Sequence, residues 1–264
     1  MKSLVAVLAV VVPLVAGASN GSGKTTVRTC PGSLIPCVGF SGPLIADDPN
    51  TVSHVTWNGS ALVDSKGNAW TMNGTVPQVA KSGKTPAGAG PFSDANYYAR
   101  SGPASDNLDF TGDFSVCAVV TPTAADITTP FAIFVANGAV SQEGYFAQWF
   151  TGGTLSGVTS WSGNNGSAQT VTTTAAGRLS VVCFGRAGTT VYSKLNLGAI
   201  ATATGTTITA GTTQQATLGR YLSATGRYMT GTLHEVWFST TTPSDALFTA
   251  IMQRVKLRAQ ITAW

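Results

Sequence analysis

This 264-residue chain has few side chains with which to do chemistry: two histidines, His54 and His234, and two glutamates, Glu143 and Glu235. A histidine-rich metal centre and any mechanism needing several glutamates are excluded by counting. His234-Glu235 opens like the zinc-peptidase pattern H-E-x-x-H, in which two imidazoles share one helix face, but Phe238 stands where the second imidazole is required. Retaining glycosidases hold two carboxyls about 5–5.5 Å apart, yet no predicted strand carries acids at i and i+2. Residues Ala18 to Thr25 (ASNGSGKT) imitate a phosphate-binding loop. Such a loop needs a helix behind it, whereas the following Thr25-Thr26-Val27-Arg28-Thr29 is β-prone and runs into Cys30-Pro31-Gly32. Catalysis is therefore not expected, and Glu235 reads as a structural residue of the last strand.

Aromatic residues offer a different chemistry. Tyr145 and Trp149 share one strand face by the period of two, and Trp161 falls on the next predicted strand. Exposed, this row would stack on the apolar faces of sugar rings, with Asn164 and Asn165 in the loop behind it supplying amide donors and acceptors. Buried, the same rings would fill a core. Asp106, Asp109 and Asp113 are the nearest approach to a calcium site, and their spacing fits turn capping better than the clustered oxygens that calcium needs. Calcium is possible without an assigned site; no metal ligand or other cofactor is expected.

The elements that must position these residues are mostly strands. Short β-prone runs alternate with turn signals at Asn58-Gly59, Asn73-Gly74, Asn137-Gly138 and Asn165-Gly166. Extended segments are predicted at 55–57, 97–98, 114–120, 131–135, 145–150, 155–161, 179–184, 191–195, 217–218 and 233–238. Strand after strand without intervening helices points to a sandwich or barrel. One helix is predicted near the C-terminus, with Thr242 as N-cap and Pro243 at its first position. Its apolar stripe comprises Leu247, Phe248, Ile251, Met252 and Val255, and Arg254, Lys256 and Arg258 complement the dipole at its end.

Residues 1–18 have the form of a secretory signal peptide: Lys2, an apolar run from Leu4 to Val15, and Ala16-Gly17-Ala18. That run falls short of the roughly 20 residues needed to span a bilayer, so no membrane span is expected after cleavage. Residues 19–39 read as a linker with a small cystine loop. Four cysteines in an exported chain suggest two disulfides. Of the three connectivities, spacing favours Cys30–Cys37, closing a short loop, and Cys117–Cys183, joining two predicted buried strands. The sequons at Asn20, Asn58, Asn73 and Asn165 would carry glycans in a eukaryotic secretory pathway. Charged residues make up 10% of the chain, and 15 Lys+Arg against 11 Asp+Glu give +4. Hydrophobic residues at 43% exclude disorder, and the scattered basic residues argue against nucleic-acid binding.

From about Phe40 to Arg258 the chain resembles a laminin-G-like domain of the concanavalin A-like lectin and glucanase superfamily. The resemblance is carried, in order, by Leu62-x-Asp64-x-x-Gly67-Asn68, by Leu108-Asp109 through Phe114-Ser-Val-Cys-Ala118, and by Leu218-Gly219 with Met229-x-Gly231-x-Leu-His-Glu235-Val-Trp-Phe238. The helix opening at Pro243-Ser244-Asp245 closes the set. The placement of Cys117 and Cys183 on two strands is pentraxin-like. Val119 stands where the family has Trp, and the pentraxins' late acidic calcium cluster has no counterpart.

The resemblance implies an all-β, antiparallel jelly-roll sandwich with one C-terminal helix, spanning 40–260 as one domain. It further implies a non-catalytic module that binds a glycan or an extracellular surface ligand; the signal-like start makes it secreted or surface-exposed, and the strand-face row Tyr145, Trp149 and Trp161 with Asn164 and Asn165 is the contact that the residues themselves offer. A structural or adhesion component of a cell surface or virion, contacting protein rather than sugar, is the alternative.

Overall fold

The computed structural model describes residues 48–101, 107–128, 132–137, 143–161, 164–205, 215–222 and 225–261. The predicted signal peptide, the linker and the Cys30–Cys37 bridge lie outside the described residues. In chain order the first strands are β1 (Thr51–Trp57), β2 (Leu62–Asp64), β3 (Thr71–Asn73), β4 (Gln78–Val79), β5 (Gly88–Ala89), β6 (Tyr97–Ser101) and β7 (Phe114–Thr121). Helix α1 (Ala124–Thr128) precedes β8 (Ala132–Asn137), β9 (Glu143–Phe150), β10 (Thr154–Trp161), β11 (Asn164–Thr173) and β12 (Ser180–Ala187). Then come β13 (Thr190–Leu195), β14 (Ala201–Thr204), β15 (Gln215–Leu218), β16 (Thr232–Ser239) and helix α2 (Asp245–Arg258).

The strands form two antiparallel sheets, the jelly-roll sandwich expected from the sequence. One runs β14-β13-β12-β7-β16-β1-β2, with β5 joined to β16 and β4 to β5; the other runs β11-β10-β9-β8-β15-β6-β3. Between them Phe110, Phe114 and Tyr145 stack with centroids 4.7–5.7 Å apart, and Phe184 meets Phe114 edge-on at 6.2 Å. The Tyr145 hydroxyl donates to the Leu108 carbonyl at 3.0 Å, so its one polar atom is satisfied inside the core.

The first sheet is buried on both faces at its centre. β7, β12 and β16 are buried at seven of eight positions each, which explains why their sequences read as continuous apolar runs rather than alternations. Inward go Val116, Val182, Phe184, Val236 and Phe238; outward go Val119, Val181 and Trp237. Helix α2 covers the outward set with Phe248, Ile251, Met252 and Val255, the predicted stripe. Cys117 and Cys183 stand directly opposite each other on β7 and β12 and form the predicted disulfide beneath that helix.

Helix α2 begins later than expected. Ser244, not Thr242, is the N-cap: its hydroxyl accepts the Leu247 amide at 3.1 Å. Thr242 instead donates to Asp113 at 3.0 Å, a carboxylate that also accepts the Gly188 amide at 2.8 Å and so anchors two connections. Asp106 lies outside the described residues. Lys194 fastens the start of the helix to β13 through a 2.5 Å ion pair with Asp245.

The weight of the helix on the sheet can be measured. Phe248→Ala should lower the unfolding free energy by about 3–5 kcal/mol, the usual cost of emptying a buried phenylalanine site, read from urea denaturation of the oxidised protein. A loss below 1 kcal/mol would mean that the helix docks loosely.

Candidate functional site

Polar side chains gather on the outer face of the first sheet where β16 carries a bulge. Leu233 pairs with Val120 and Glu235 with Val119, leaving His234 as an extra residue. The bulge re-aims the strand, so His234 and Glu235 both leave the inter-sheet core to Leu233 and Val236. Gly88 permits this: a Cβ there would lie 2.6–2.8 Å from Thr232, the Leu233 carbonyl and His234 Nδ1.

Each imidazole has a fixed tautomer. His234 Nδ1–H donates to the Pro86 carbonyl at 2.9 Å, since a carbonyl only accepts, and Nε2 accepts the Thr121 hydroxyl at 2.9 Å. Burial pushes this imidazole below its ordinary value of 6.5, against the opposing pull of the Ala87 and Pro86 carbonyls and the Glu235 charge. Glu235, with its side chain 4% exposed, accepts His54 Nε2–H at 2.7 Å and takes the forked guanidinium of Arg258 on both oxygens. The His54 ring lies flat on Trp237, 5.3 Å between centroids and 5° between planes.

Ser65 Oγ sits 3.3 Å from His54 Nδ1, completing a line Ser65–His54–Glu235 of the kind that activates a nucleophile. Acyl transfer also needs amide donors aimed at the developing oxyanion. The amides of Ser65, Lys66 and Gly67 are already given to the His54 carbonyl, the Asp64 carboxylate and the Asp64 carbonyl, and Arg258 already holds the acid. The line serves as a tether between the β2 turn, β1, β16 and the end of α2.

Beside it opens a cleft of about 380 Å³, within the range that seats small ligands. Its apolar wall includes Pro86, Ala87, Val119, Leu179, Val255 and Ala259; Thr56, Lys81, Lys84, His234, Glu235 and Arg258 supply the polar positions. Thr56 is the strand neighbour of Glu235. The lysines belong to a narrow hairpin in which Ser82 and Thr85 exchange both amide–carbonyl bonds, at 3.1 and 3.0 Å. Gly83 in that turn takes φ +56°, as a two-residue hairpin turn requires.

The aromatic row is placed differently from the ligand-facing arrangement expected. Tyr145 and Trp149 do share a face, but it is the inner one: they are 1% and 0% exposed and belong to the inter-sheet core. Rings this large lose more by facing water than a sandwich interior loses by holding them. The alternate residue Phe146 turns to the other face and meets Tyr221 at 5.2 Å. Trp161, Asn164 and Asn165 have described backbones only, and their side chains lie outside the described residues. The expected loop at Asn164-Asn165 is instead the start of β11, with Trp161 paired to Asn164 and Ser160 to Asn165, so Asn165-Gly166 is not the hairpin turn.

Asp64, from the family-like motif, is a structural hub. Burial raises its carboxyl pKa, but hydrogen bonds from Ser53, the Lys66 amide, Asn68 and Trp70 outweigh that and hold it below 3.8. Among the described residues no three His, Cys, Asp or Glu gather as a metal site would require, and no helix is long and apolar enough to cross a membrane. Arg258, Lys81 and Lys84 were not singled out as site residues from sequence. The signal that could have found them was the one-residue irregularity in the alternation around His234-Glu235.

No family model and no curated protein matches the chain. Solved structures do share its fold. The binding domain of botulinum neurotoxin DC, in complex with SialylT, superposes with a TM-score of 0.58 at 10% identity over 80% of this chain and 52% of that one. The receptor binding domain of a botulinum neurotoxin C/D mosaic serotype gives 0.58 at 12% identity, covering 78% and 51%. The chain thus spans about half the length of these toxin domains. Domain 4 of an extracellular arabinanase from Geobacillus stearothermophilus, in complex with arabinotriose, gives 0.52 at 16% identity and covers 77% of this chain and 98% of that one.

The lowered His234 pKa makes a signed prediction. A neutral histidine whose folded pKa lies below 6.5 leaves the unfolded chain binding more protons between the two values. Stability is then fully present above 6.5, declines as pH falls from there, and levels off below the folded pKa. Melting temperatures from pH 8 to pH 5 should fall more for the natural protein than for His234→Gln; parallel curves would refute the assignment.

Proposed function

We propose that this chain is a secreted, non-catalytic binding module that seats a glycan in the cleft beside the C-terminal helix. The observation that carries the reading is the cleft of about 380 Å³, lined by apolar side chains together with hydrogen-bonding groups, Glu235 and Arg258 among them held by their own ion pair. Sugar rings present apolar faces and a rim of hydroxyls, and a surface with both features in fixed positions binds them without a large ordering cost. Glu235 is the single carboxylate lining the cleft among the described residues, so the pair that glycoside hydrolysis uses has no second member there. The fold adds support, being shared with domains solved with SialylT and with arabinotriose. In this reading residues 1–18 are the signal peptide, 19–39 the linker and 40–260 a laminin-G-like domain, and the ligand meets the cleft and not the buried Tyr145 and Trp149.

The test is a glycan array probed with the purified protein and with Thr56→Trp, which fills the cleft from a half-buried strand position. Binding to one or more saccharides should appear and fall at least tenfold in the variant while the melting temperature holds. Silence across the array would overturn the reading in favour of a structural or adhesion protein that contacts protein. Equal binding by the variant would overturn the location.

A further inference from the structure

We infer that the cleft selects acidic saccharides, with Lys81 and Lys84 receiving the carboxylate or sulfate group. The inference rests on the reading of the cleft as a glycan seat, and its evidence is the distribution of charge. Three cations line the cleft, Lys81, Lys84 and Arg258, against one anion, Glu235. Three minus one is +2, half of the formal +4 of the whole chain, collected in one concavity.

The charges are not equivalent. Arg258 is spent on Glu235, which both of its terminal nitrogens engage, and His54 donates to the same carboxylate. Lys81 and Lys84 make no ion pair or hydrogen bond among the described residues. They stand close in sequence on a hairpin closed by two backbone hydrogen bonds, so their stems leave a fixed platform. Desolvating a carboxylate is expensive unless a cation meets it, and two uncommitted ammonium groups beside an apolar wall meet that condition for a ligand that is part ring and part anion. A neutral sugar in the same place would leave both lysines without use.

The matched probes are trigalacturonic acid and its methyl ester, which differ in charge and keep one sugar frame, and a heparin-derived tetrasaccharide, which carries sulfate. Calorimetric titration of the purified protein at low salt should show at least one acidic probe binding tenfold or more tightly than the ester. That preference should vanish in Lys81→Gln/Lys84→Gln and shrink with added salt, with the melting temperature unchanged because both side chains are exposed. The two acidic probes separate carboxylate from sulfate recognition. Equal affinity for acid and ester, or a preference that survives the double substitution, would overturn the selectivity; if Thr56→Trp still abolished binding in that case, the glycan seat itself would stand. Failure of every acidic and neutral saccharide to bind would remove both.

Discussion

A carboxylate almost wholly removed from water has to be paired, and the outer face of the first sheet is organised around that requirement at Glu235. Leaving such a charge unmatched costs on the order of 3–5 kcal/mol, so the partners are not optional. One arrives from β1 as His54, held flat on Trp237; the other comes from the last turn of α2 as Arg258. Arg258 is itself about half exposed, with 54% of its side chain in contact with solvent, so the pair lies at a boundary where water still reaches one member. The contact joins elements far apart in the chain and fixes where the helix ends. It also leaves a cleft beside it lined by both apolar side chains and hydrogen-bonding groups.

The two sheets meet burial differently. The first is sandwiched between its partner sheet and a helix, so its central strands expose almost nothing and buried polar residues are paired: Arg186 of β12 with the carbonyls of Thr111 and Gly112, and, on neighbouring β13, Lys194 with Asp245. Each apolar side chain buried this way contributes roughly 1.5–3 kcal/mol. The second sheet gives its inner face to the large aromatics. On the helix side the cleft opens where the hairpin carrying Lys81 and Lys84 approaches the end of α2.

Local signals made most of the architecture legible in the sequence. Phe114–Val120, Leu155–Trp161 and Leu233–Phe238 declare themselves as strands by β-branched and aromatic content, and the helix stripe from Phe248 to Val255 by its spacing. What periodicity does not reveal is which face of a strand is inside: it puts Tyr145 and Trp149 together and leaves a ligand-facing and a core placement both open, and the fold takes the core. The short strands β2 to β5 carry too few residues for a period to show. His234-Glu235 stands out in sequence only as an incomplete metal motif, because its bulge depends on Gly88, a residue 146 positions earlier by number. For Arg258 the helix dipole is a sufficient local reason, which gives no sign of its distant partner Glu235.

The position of β16 has a kinetic consequence. It is the last described strand, yet it lies between β7 and β1 and also holds β5, so none of these three pairs with another without it. Its side-chain contact with His54 spans 181 positions of sequence. Closing loops of that length must precede any reward from the contacts they bring, which places the chain among slow folders. Until residues beyond 232 join the sheet, β1 and β2 form an orphan hairpin with both edges open, and three pieces, β14-β13-β12-β7, β1-β2 and β4-β5, await a common central strand.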